Sequence, residues 1–162
     1  EKFLFINSGY NLRPLDVTAA IANNQYKRLN QFMKTRSDNR KLIIDTISEN
    51  KKWNNQFIFI EPEKEMSPSW FGLPVLINEK LKKKKTTLLR FLDKKKIENR
   101  PIVSGNFLNQ PAIKLYNLST KNKFFNSQLV EESGFFIGLH TKKTTKKMAN
   151  YIATNLLKID EI

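Results

Sequence analysis

The stretch that decides the fold is Trp70-Phe71-Gly72-Leu73-Pro74-Val75-Leu76-Ile77. An apolar run of this length, rich in aromatic and branched residues, predicts a β-strand over Ser69–Ile77. Pro74 has no amide hydrogen to donate, so we expect it at the edge of a sheet or at a bulge. Shortly afterwards, Lys82–Lys95 has apolar side chains at positions 88, 89, 91 and 92, which predicts an amphipathic helix.

Further strands are predicted on both sides of this stretch, at Trp53–Ile60, Asn99–Val103 and Phe135–Leu139. A closing helix is predicted over Thr144–Ile159, with the apolar residues at positions 148, 151, 152, 156 and 159 facing inward. Strands that alternate with helices after a long lead-in helix indicate a single two-layer α+β unit.

The lead-in helix is predicted from about Leu15 to Ser48. Pro14 stands where a helix can begin, and the carboxylate of Asp16 suits the positive end of the helix dipole. Apolar residues at positions 29, 32, 33, 43, 44 and 47 recur at helical spacing, and the basic residues at 27, 28, 34 and 40 are predicted on the other face. A break near Ser37-Asp38 is an alternative to one continuous helix.

Composition limits the class of protein. The 162 residues are 40% hydrophobic and 27% charged, which is ordinary for a globular domain, and the chain has no Cys. No apolar run approaches the roughly 20 residues needed to span a bilayer. The absence of Cys fits a reducing cytoplasm, where we expect the protein to work. Because the chain begins at Glu1 rather than Met, we expect it to have been processed or to be part of a longer polypeptide.

The net charge of +14 predicts attraction to anions. Three basic clusters carry much of this charge, at Lys82–Lys85, at Lys94–Lys96 and at positions 142, 143, 146 and 147. Lysines on an exposed helical face are usually only solvated, and no zinc finger, basic zipper or RNA-recognition sequence is present. A stand-alone basic module that binds nucleic acid or another polyanion nevertheless stays open as an interpretation.

A self-contained active site is not apparent in the sequence. His140 is the only histidine, and Glu61, Glu63 and Glu65 lie beside Pro62 and lysines, as in a solvated loop. We therefore predict no metal site. The nucleophile sequence G-x-S-x-G and the glycine-rich phosphate loops are both absent, so we predict no catalytic residue within the chain itself.

Three local sequences have the chemistry of anion or sugar contacts. They are Gly9–Pro14, Arg100–Phe107 and Gly138–Thr141, which combine glycine with Arg, Asn or His. Guanidinium groups bind phosphate, and amides and imidazoles bind hydroxyl groups. Each segment taken singly is also compatible with a turn that carries a capping residue.

In this order and at this spacing, these segments resemble the DegT/DnrJ/StrS family of sugar aminotransferases and their dehydratase relatives. Gly9–Arg13 matches the G-Y-N-x-R segment that opens a long helix in the family, and Ser69–Gly72 also looks like it. So do Arg100–Phe107, followed by Gln110-Pro111, and Gly134–His140. The resemblance covers essentially the whole chain, and it is greatest to the branch that contains nucleotide-linked 4-keto-6-deoxyhexose 3-dehydratases.

The resemblance implies a fold-type I enzyme dependent on pyridoxal phosphate (PLP) or pyridoxamine phosphate. Residues 1–50 would be an entry loop and long helix that join a large N-terminal domain, and residues 51–162 a small C-terminal α+β domain. This small domain would have a mostly antiparallel sheet with helices on one face. The large domain, missing from this chain, would carry the Schiff-base lysine, or a histidine in some dehydratases. We expect this part to bind no cofactor by itself, and whether it has any activity alone stays open.

The resemblance also implies roles for individual residues. Asn11 would contact the cofactor phosphate of the neighbouring subunit in a homodimer, with Arg13 close by. Arg100, Asn106 and His140 would line the entrance where a nucleotide-linked 4-keto-6-deoxysugar lies. The complete enzyme would be an aminotransferase or a 3-dehydratase of deoxysugar and lipopolysaccharide biosynthesis. A nucleotide-sugar substrate, rather than nucleic acid or a membrane, is then the expected partner.

Overall fold

The computed structural model describes residues 14–111, 113 and 123–162. The chain divides into two compact units, Glu1–Gln31 and Phe32–Ile162. Within the described part of the first unit, helix α1 spans Asp16–Tyr26 and has Asp16 in its first turn, as predicted. None of the residues of α1 is buried. The domain division predicted at residue 50 stays a prediction.

Helix α2 spans Leu29–Ser48. The predicted lead-in helix is therefore interrupted at Lys27 and Arg28, and the alternative break near Ser37-Asp38 is wrong. The amide of Arg28 donates to the carbonyl of Gln25 at 3.0 Å. This bond reaches back three residues rather than four, which tightens the chain where α1 ends.

The second unit is built on a four-stranded antiparallel sheet in the order β1-β2-β4-β3. The strands are β1 (Phe57–Phe59), β2 (Gly72–Ile77), β3 (Asn99–Pro101) and β4 (Gly134–Gly138). All four predicted strands are present: β1, β2 and β3 are shorter than the sequence indicated, and β4 begins and ends one residue earlier than predicted. The last strand in the chain, β4, pairs with both β2 and β3, so the end of β4 and its following loop lie near the middle of the sheet.

Pro74 lies in an interior strand, so the prediction of an edge strand is wrong. The pairing of β1 with β2 ends at Val75, whose partner is Phe59, whereas Pro74 is paired only with Phe136 of β4. Because β1 stops short of Pro74, the sheet requires no hydrogen bond from residue 74 on that side. The proline is therefore tolerated in the interior strand.

Three helices pack on one face of the sheet, as predicted: α2, α3 (Lys85–Lys94) and α5 (Lys146–Leu156). Alternate residues of β2 supply the sheet side of the core. The buried core consists of Ile43 and Ile47 of α2; Phe57 of β1; Leu73, Val75 and Ile77 of β2; Leu88 and Leu92 of α3; Phe135 and Ile137 of β4; Ala149, Ala153 and Leu156 of α5; and Ile97, Leu139, Leu157 and Ile159 outside these elements. A further helix, α4 (Phe125–Ser133), precedes β4 directly and was not predicted.

The inward face of α5 differs from the one predicted. Met148 and Tyr151 are each about half exposed, whereas Ala149 and Ala153 are fully buried. A hydrophobic pattern favours the larger side chains, but the small alanines let the helix approach the sheet closely. The side chain of Thr145 accepts the amide hydrogen of Met148 at 3.2 Å and so caps the start of α5.

Within the described ranges, none of the helices combines the length and apolar character needed to cross a membrane.

The lysine cluster at positions 82–85 is largely engaged within the molecule. Lys82 forms ion pairs with Glu79 at 2.6 Å and with Glu132 of α4 at 2.7 Å. Lys84 donates to the carbonyls of Ile159 and Asp160, and Lys85 donates to the carbonyl of Glu131 at 2.6 Å. Lys84 thus caps the carbonyls of the helical turn at Leu157–Asp160, and Lys82 and Lys85 hold α4 to the start of α3 and the segment before it.

The pair between Lys82 and Glu132 gives an acid-dependent prediction. The hydrogen bond from Lys82 holds the pKa of Glu132 below its ordinary value of 4.5. A carboxylate whose pKa is lowered by folding adds stability above the ordinary value, and this is lost as the pH falls through the lowered pKa. We expect Glu132→Gln to reduce the free energy of unfolding at pH 7 but not at pH 2, measured by urea denaturation. Glu65→Gln, at an exposed carboxylate, should change stability at neither pH.

Candidate functional site

The described part of the second unit contains a cavity of about 850 Å³. One wall is the end of β4 with its following residues, 136–140, and another is the segment 96–100, which leads into β3. One face of α5 forms a third side along nearly its whole length, and Arg36 of α2 and Phe71 complete the lining. The loop after a central strand and an edge strand therefore meet at one cleft.

The loop after β4 is fastened to α2 by Asn39, which is 3% exposed. The side-chain amide of Asn39 donates to the carbonyls of His140 at 2.9 Å and Lys142 at 2.8 Å. Its oxygen accepts the amide hydrogen of Thr144 at 2.8 Å. One buried side chain thus satisfies three backbone groups and fixes the loop that carries His140.

The imidazole of His140 is exposed and lines the cavity. Its Nδ1 accepts the amide hydrogen of Lys142 at 2.9 Å. In the neutral ring, Nε2 must then carry the proton and act as a hydrogen-bond donor. His140 can therefore offer one oriented N–H to a hydroxyl or phosphate oxygen.

Arg100 lies on β3, opposite Phe136 of β4, and lines the same cavity as His140. Its guanidinium forms an ion pair with Glu98 at 2.7 Å, and both side chains are more than 60% exposed. Exposed pairs of this kind contribute about 1 kcal/mol or less. The pair is therefore easily opened, and Arg100 can exchange its carboxylate partner for a bound anion.

Asn106 is placed differently. It is 8% exposed, its side-chain oxygen accepts the amide hydrogen of Leu108, and its amide donates to Gln128 of α4 at 3.0 Å. These contacts hold the loop before residue 111 on α4, and Asn106 does not line the cavity. Its predicted contact with substrate stays a prediction. Asn11 and Arg13, the predicted cofactor contacts, lie outside the described residues.

Sequence reasoning missed Arg36 and misplaced Arg40. Arg40, predicted on the outer face of the helix, is 8% exposed: it pairs with Glu61 at 2.9 Å and lies 4.5 Å from the centre of the Trp70 ring. Arg36 lies one turn earlier on the same side of α2, with its guanidinium 6.0 Å from the centre of the Phe71 ring. The available signal was the spacing, because Met33, Arg36, Arg40 and Ile43 follow one helical stripe.

A metal centre has no support in the described part of the chain, where no group of three His, Asp or Glu side chains is arranged to hold a metal ion.

A comparison with protein families matches residues 1–156 to the DegT/DnrJ/EryC1/StrS aminotransferase family. The chain belongs to this family. The resemblance found in the local sequences around Arg100 and His140 is thereby confirmed. The DegT/DnrJ/EryC1/StrS relatives of known structure also confirm the fold as the small α+β part of a fold-type I PLP enzyme.

Three relatives, one compared by sequence and two of known structure, define the similarity within the family. The chain is 31% identical to the GDP-4-keto-6-deoxy-D-mannose 3-dehydratase of Yersinia pseudotuberculosis over 98% of its length, and spans 38% of that enzyme. It is 29% identical to the Escherichia coli GDP-4-keto-6-deoxy-D-mannose-3-dehydratase with bound hydrated PLP, with a TM-score of 0.80. The structural match covers 96% of this chain and 39% of the Escherichia coli enzyme. A variant of GDP-4-keto-6-deoxymannose-3-dehydratase with bound GDP-perosamine gives a TM-score of 0.81 at the same identity and coverage.

Proposed function

We propose that the chain is the C-terminal part of a PLP-dependent enzyme acting on nucleotide-linked 4-keto-6-deoxysugars in deoxysugar and lipopolysaccharide biosynthesis. The reaction would be either transamination or 3-dehydration. The observation that carries the proposal is the 31% identity to a GDP-4-keto-6-deoxymannose 3-dehydratase across 98% of this chain. Because the chain spans 38% of that enzyme, we propose that the activity also requires the large domain.

The cavity supports this proposal through its charges. Arg36, Lys96, Arg100 and Lys147 line it with a single carboxylate, Glu98, so an anionic ligand is favoured. Bound PLP would supply an electron sink for a carbanion on the sugar. The part of this chain described here would bind the nucleotide-sugar, with Arg100 contacting an anionic group and the Nε2 of His140 donating to an oxygen.

Other assignments within the proposal rest on the family resemblance. Asn106 would contact the substrate from the loop before residue 111, and Asn11 and Arg13 would contact the cofactor phosphate of the second subunit in a homodimer. Asn11 and Arg13 lie outside the described residues, so their contact with the cofactor stays a prediction. A cytoplasmic location also stays a prediction.

An exposed apolar area on the sheet supports the need for a further domain. Ile58 of β1 is 50% exposed, and Ile60, two residues further along the chain, is 42% exposed. Apolar groups exposed together commonly mark an interaction surface. We propose that the large domain covers this area in the complete enzyme.

The proposal is tested by transplanting the chain into a working relative. The 162 residues replace the matching region of the Yersinia pseudotuberculosis enzyme, and the chimera is incubated with PLP, glutamate and GDP-4-keto-6-deoxymannose. We expect conversion of the sugar nucleotide, followed by mass spectrometry. Because the large domain of the chimera comes from the Yersinia enzyme, conversion tests whether the 162 residues bind the nucleotide-sugar, and the large domain would set the choice between transamination and dehydration.

Two measurements make a negative result informative. PLP absorbance and size-exclusion chromatography show whether the chimera is folded and loaded. A folded, PLP-loaded chimera without conversion would argue against the proposal. In an active chimera, Arg100→Ala should raise KM for the sugar nucleotide, whereas Arg90→Ala, at an exposed position of α3, should leave it unchanged.

The net charge of +14 favours one other function, a polyanion-binding module. The engagement of Lys82, Lys84 and Lys85 in internal contacts argues against a free basic surface at that cluster. Filter binding of duplex and single-stranded DNA at 50 and 200 mM salt decides between the two. Submicromolar binding that weakens steeply with salt would support the module, since phosphate contacts release counterions. Our proposal predicts weak binding at both concentrations.

A further inference from the structure

The guanidinium of Arg36 is a charged group without an acceptor inside the described molecule. Its Nε is buried and has no hydrogen-bond partner. No ion pair among the described residues includes Arg36. Its identified contact is the ring of Phe71, with the guanidinium carbon 6.0 Å from the ring centre.

Arg40 shows what a compensated arginine looks like one turn further along α2. Its guanidinium donates to the carboxylate of Glu61 at 2.9 Å and to the carbonyl of Ile60 at 2.6 Å. Its Nε, like that of Arg36, is buried without a hydrogen-bond partner, but its Nη2 has both a countercharge and a neutral acceptor. Among the described residues Arg36 has neither, although α2 places the two arginines on the same side at a four-residue spacing.

The described lining of the cavity gives Arg36 no free countercharge. The other charged groups of the lining are Lys96, Arg100, Lys147 and Glu98, and Glu98 already pairs with Arg100. A half-buried guanidinium among like charges is costly to keep unpaired. An anion that enters the cavity would remove this cost.

The chemistry of the lining selects the kind of anion. A guanidinium has a planar fork of N–H donors that matches the oxygens of phosphate or carboxylate in a bidentate pair. His140 adds an N–H donor at Nε2, and Arg100 adds a second guanidinium. Two guanidinium groups and an imidazole donor suit a group with several charged oxygens better than a single carboxylate.

We propose that Arg36 is an anion-binding residue of this cavity and that its ligand is the diphosphate of a nucleotide. The inference rests on the proposed function for the identity of the nucleotide as part of a sugar substrate. The anion site itself rests only on the geometry around Arg36. Phe71, two-thirds exposed beside the guanidinium, supplies an aromatic surface next to the diphosphate.

The single histidine makes the site observable in the 162-residue chain. Inorganic pyrophosphate, GDP and glutamate are titrated separately while the imidazole proton resonances of His140 are followed by NMR. We expect pyrophosphate and GDP to shift these resonances in a saturable way. Arg36→Met, which keeps the aliphatic stem, should weaken both by about tenfold or more, the usual effect of losing a hydrogen bond to a charged group.

Two further variants distinguish binding at a specific anion site from attraction by the net positive charge. Arg90→Met removes the same charge from an exposed position of α3, outside the cavity. It should leave both affinities unchanged, and Arg36→Lys should restore them only partly because the fork is lost. Thermal unfolding verifies that each variant is folded.

Several results would overturn the proposal. They are no saturable shift in the wild-type chain, equal weakening by Arg36→Met and Arg90→Met, or Arg36-dependent binding of glutamate without pyrophosphate. The proposed function has its own test in the chimera. A chimera that lacks activity while pyrophosphate binding depends on Arg36 would reject the function alone. An active chimera indifferent to Arg36→Met would reject the role of Arg36 alone.

Discussion

Replacing Gly105 with alanine is expected to destabilise the chain by about 3 kcal/mol. Gly105 has a φ of +63°, a left-handed conformation that costs roughly 1–2 kcal/mol for a residue with a side chain. An added Cβ would also lie 2.5 Å from the Cα of Glu131 and 2.9 Å from its backbone nitrogen. Because those atoms belong to α4, the loop must move away from the helix, at a typical cost of about 1–3 kcal/mol.

Gly138 provides the matched control for this prediction. It lies in β4 and lines the cavity, but a Cβ built on it meets no heavy atom within 4 Å. We expect Gly138→Ala to change the free energy of unfolding by less than about 1 kcal/mol, since alanine is tolerated at least as well as glycine in a strand. Urea denaturation measures both variants. Equal losses would show that the contact with Glu131 is not what requires glycine at 105.

The same substitution bears on the site through Asn106. If the loop at Gly105 moves, the hydrogen bond from Asn106 to Gln128 is disturbed as well. In the chimera, the proposed substrate role of Asn106 predicts a higher KM for the sugar nucleotide in Gly105→Ala. An unchanged KM in a folded variant would confine this loop to a structural role.

The strands were predictable from local sequence, but their arrangement was not. Apolar runs between turn-forming residues marked β2 and β4. The insertion of β4 between β2 and β3 depends on the pairing of Gly72 with Gly138, which are 66 residues apart. Local patterns contain no information about such a partner. The same limit applies to Pro74, which is tolerated because β1 is short.

Burial was mispredicted where size or a distant partner decides it. The sequence pattern placed Arg40 on the outer face of α2. It is buried because Trp70 and Glu61, both more than 20 residues away in sequence, pack against it. On α5, Ala149 is buried and Met148 is not, since close packing on the sheet favours the smaller side chain.

Some residues of the candidate site could be predicted from the sequence, and others could not. Arg100 and His140 were predicted because their segments resemble the DegT/DnrJ/StrS family, and the structure places both in the lining of one cavity. Arg36 lies within an ordinary amphipathic helix, so only the three-dimensional structure shows that its Nε has no partner. Asn39 was also missed, because a polar residue in a helix gives no indication that a loop 100 residues later depends on it.

Replacing Asn39 with leucine is expected to destabilise the chain by about 3 kcal/mol and to release the His140 loop. Three buried hydrogen bonds would be lost, at about 1 kcal/mol each. Leucine fills a similar volume but leaves the carbonyls of His140 and Lys142 and the amide of Thr144 without their partner. Urea denaturation measures the loss of stability.

The release of the loop has its own measurement. Amide hydrogen exchange at Thr144 should accelerate strongly in Asn39→Leu, because that amide is bonded to the side chain that is removed. The matched control is Asn155→Leu, another buried asparagine whose amide donates to the carbonyl of Tyr151 within α5. It should reduce stability without selectively exposing Thr144. If exchange at Thr144 rises equally in both variants, Asn39 contributes to overall stability and does not specifically position the loop of His140.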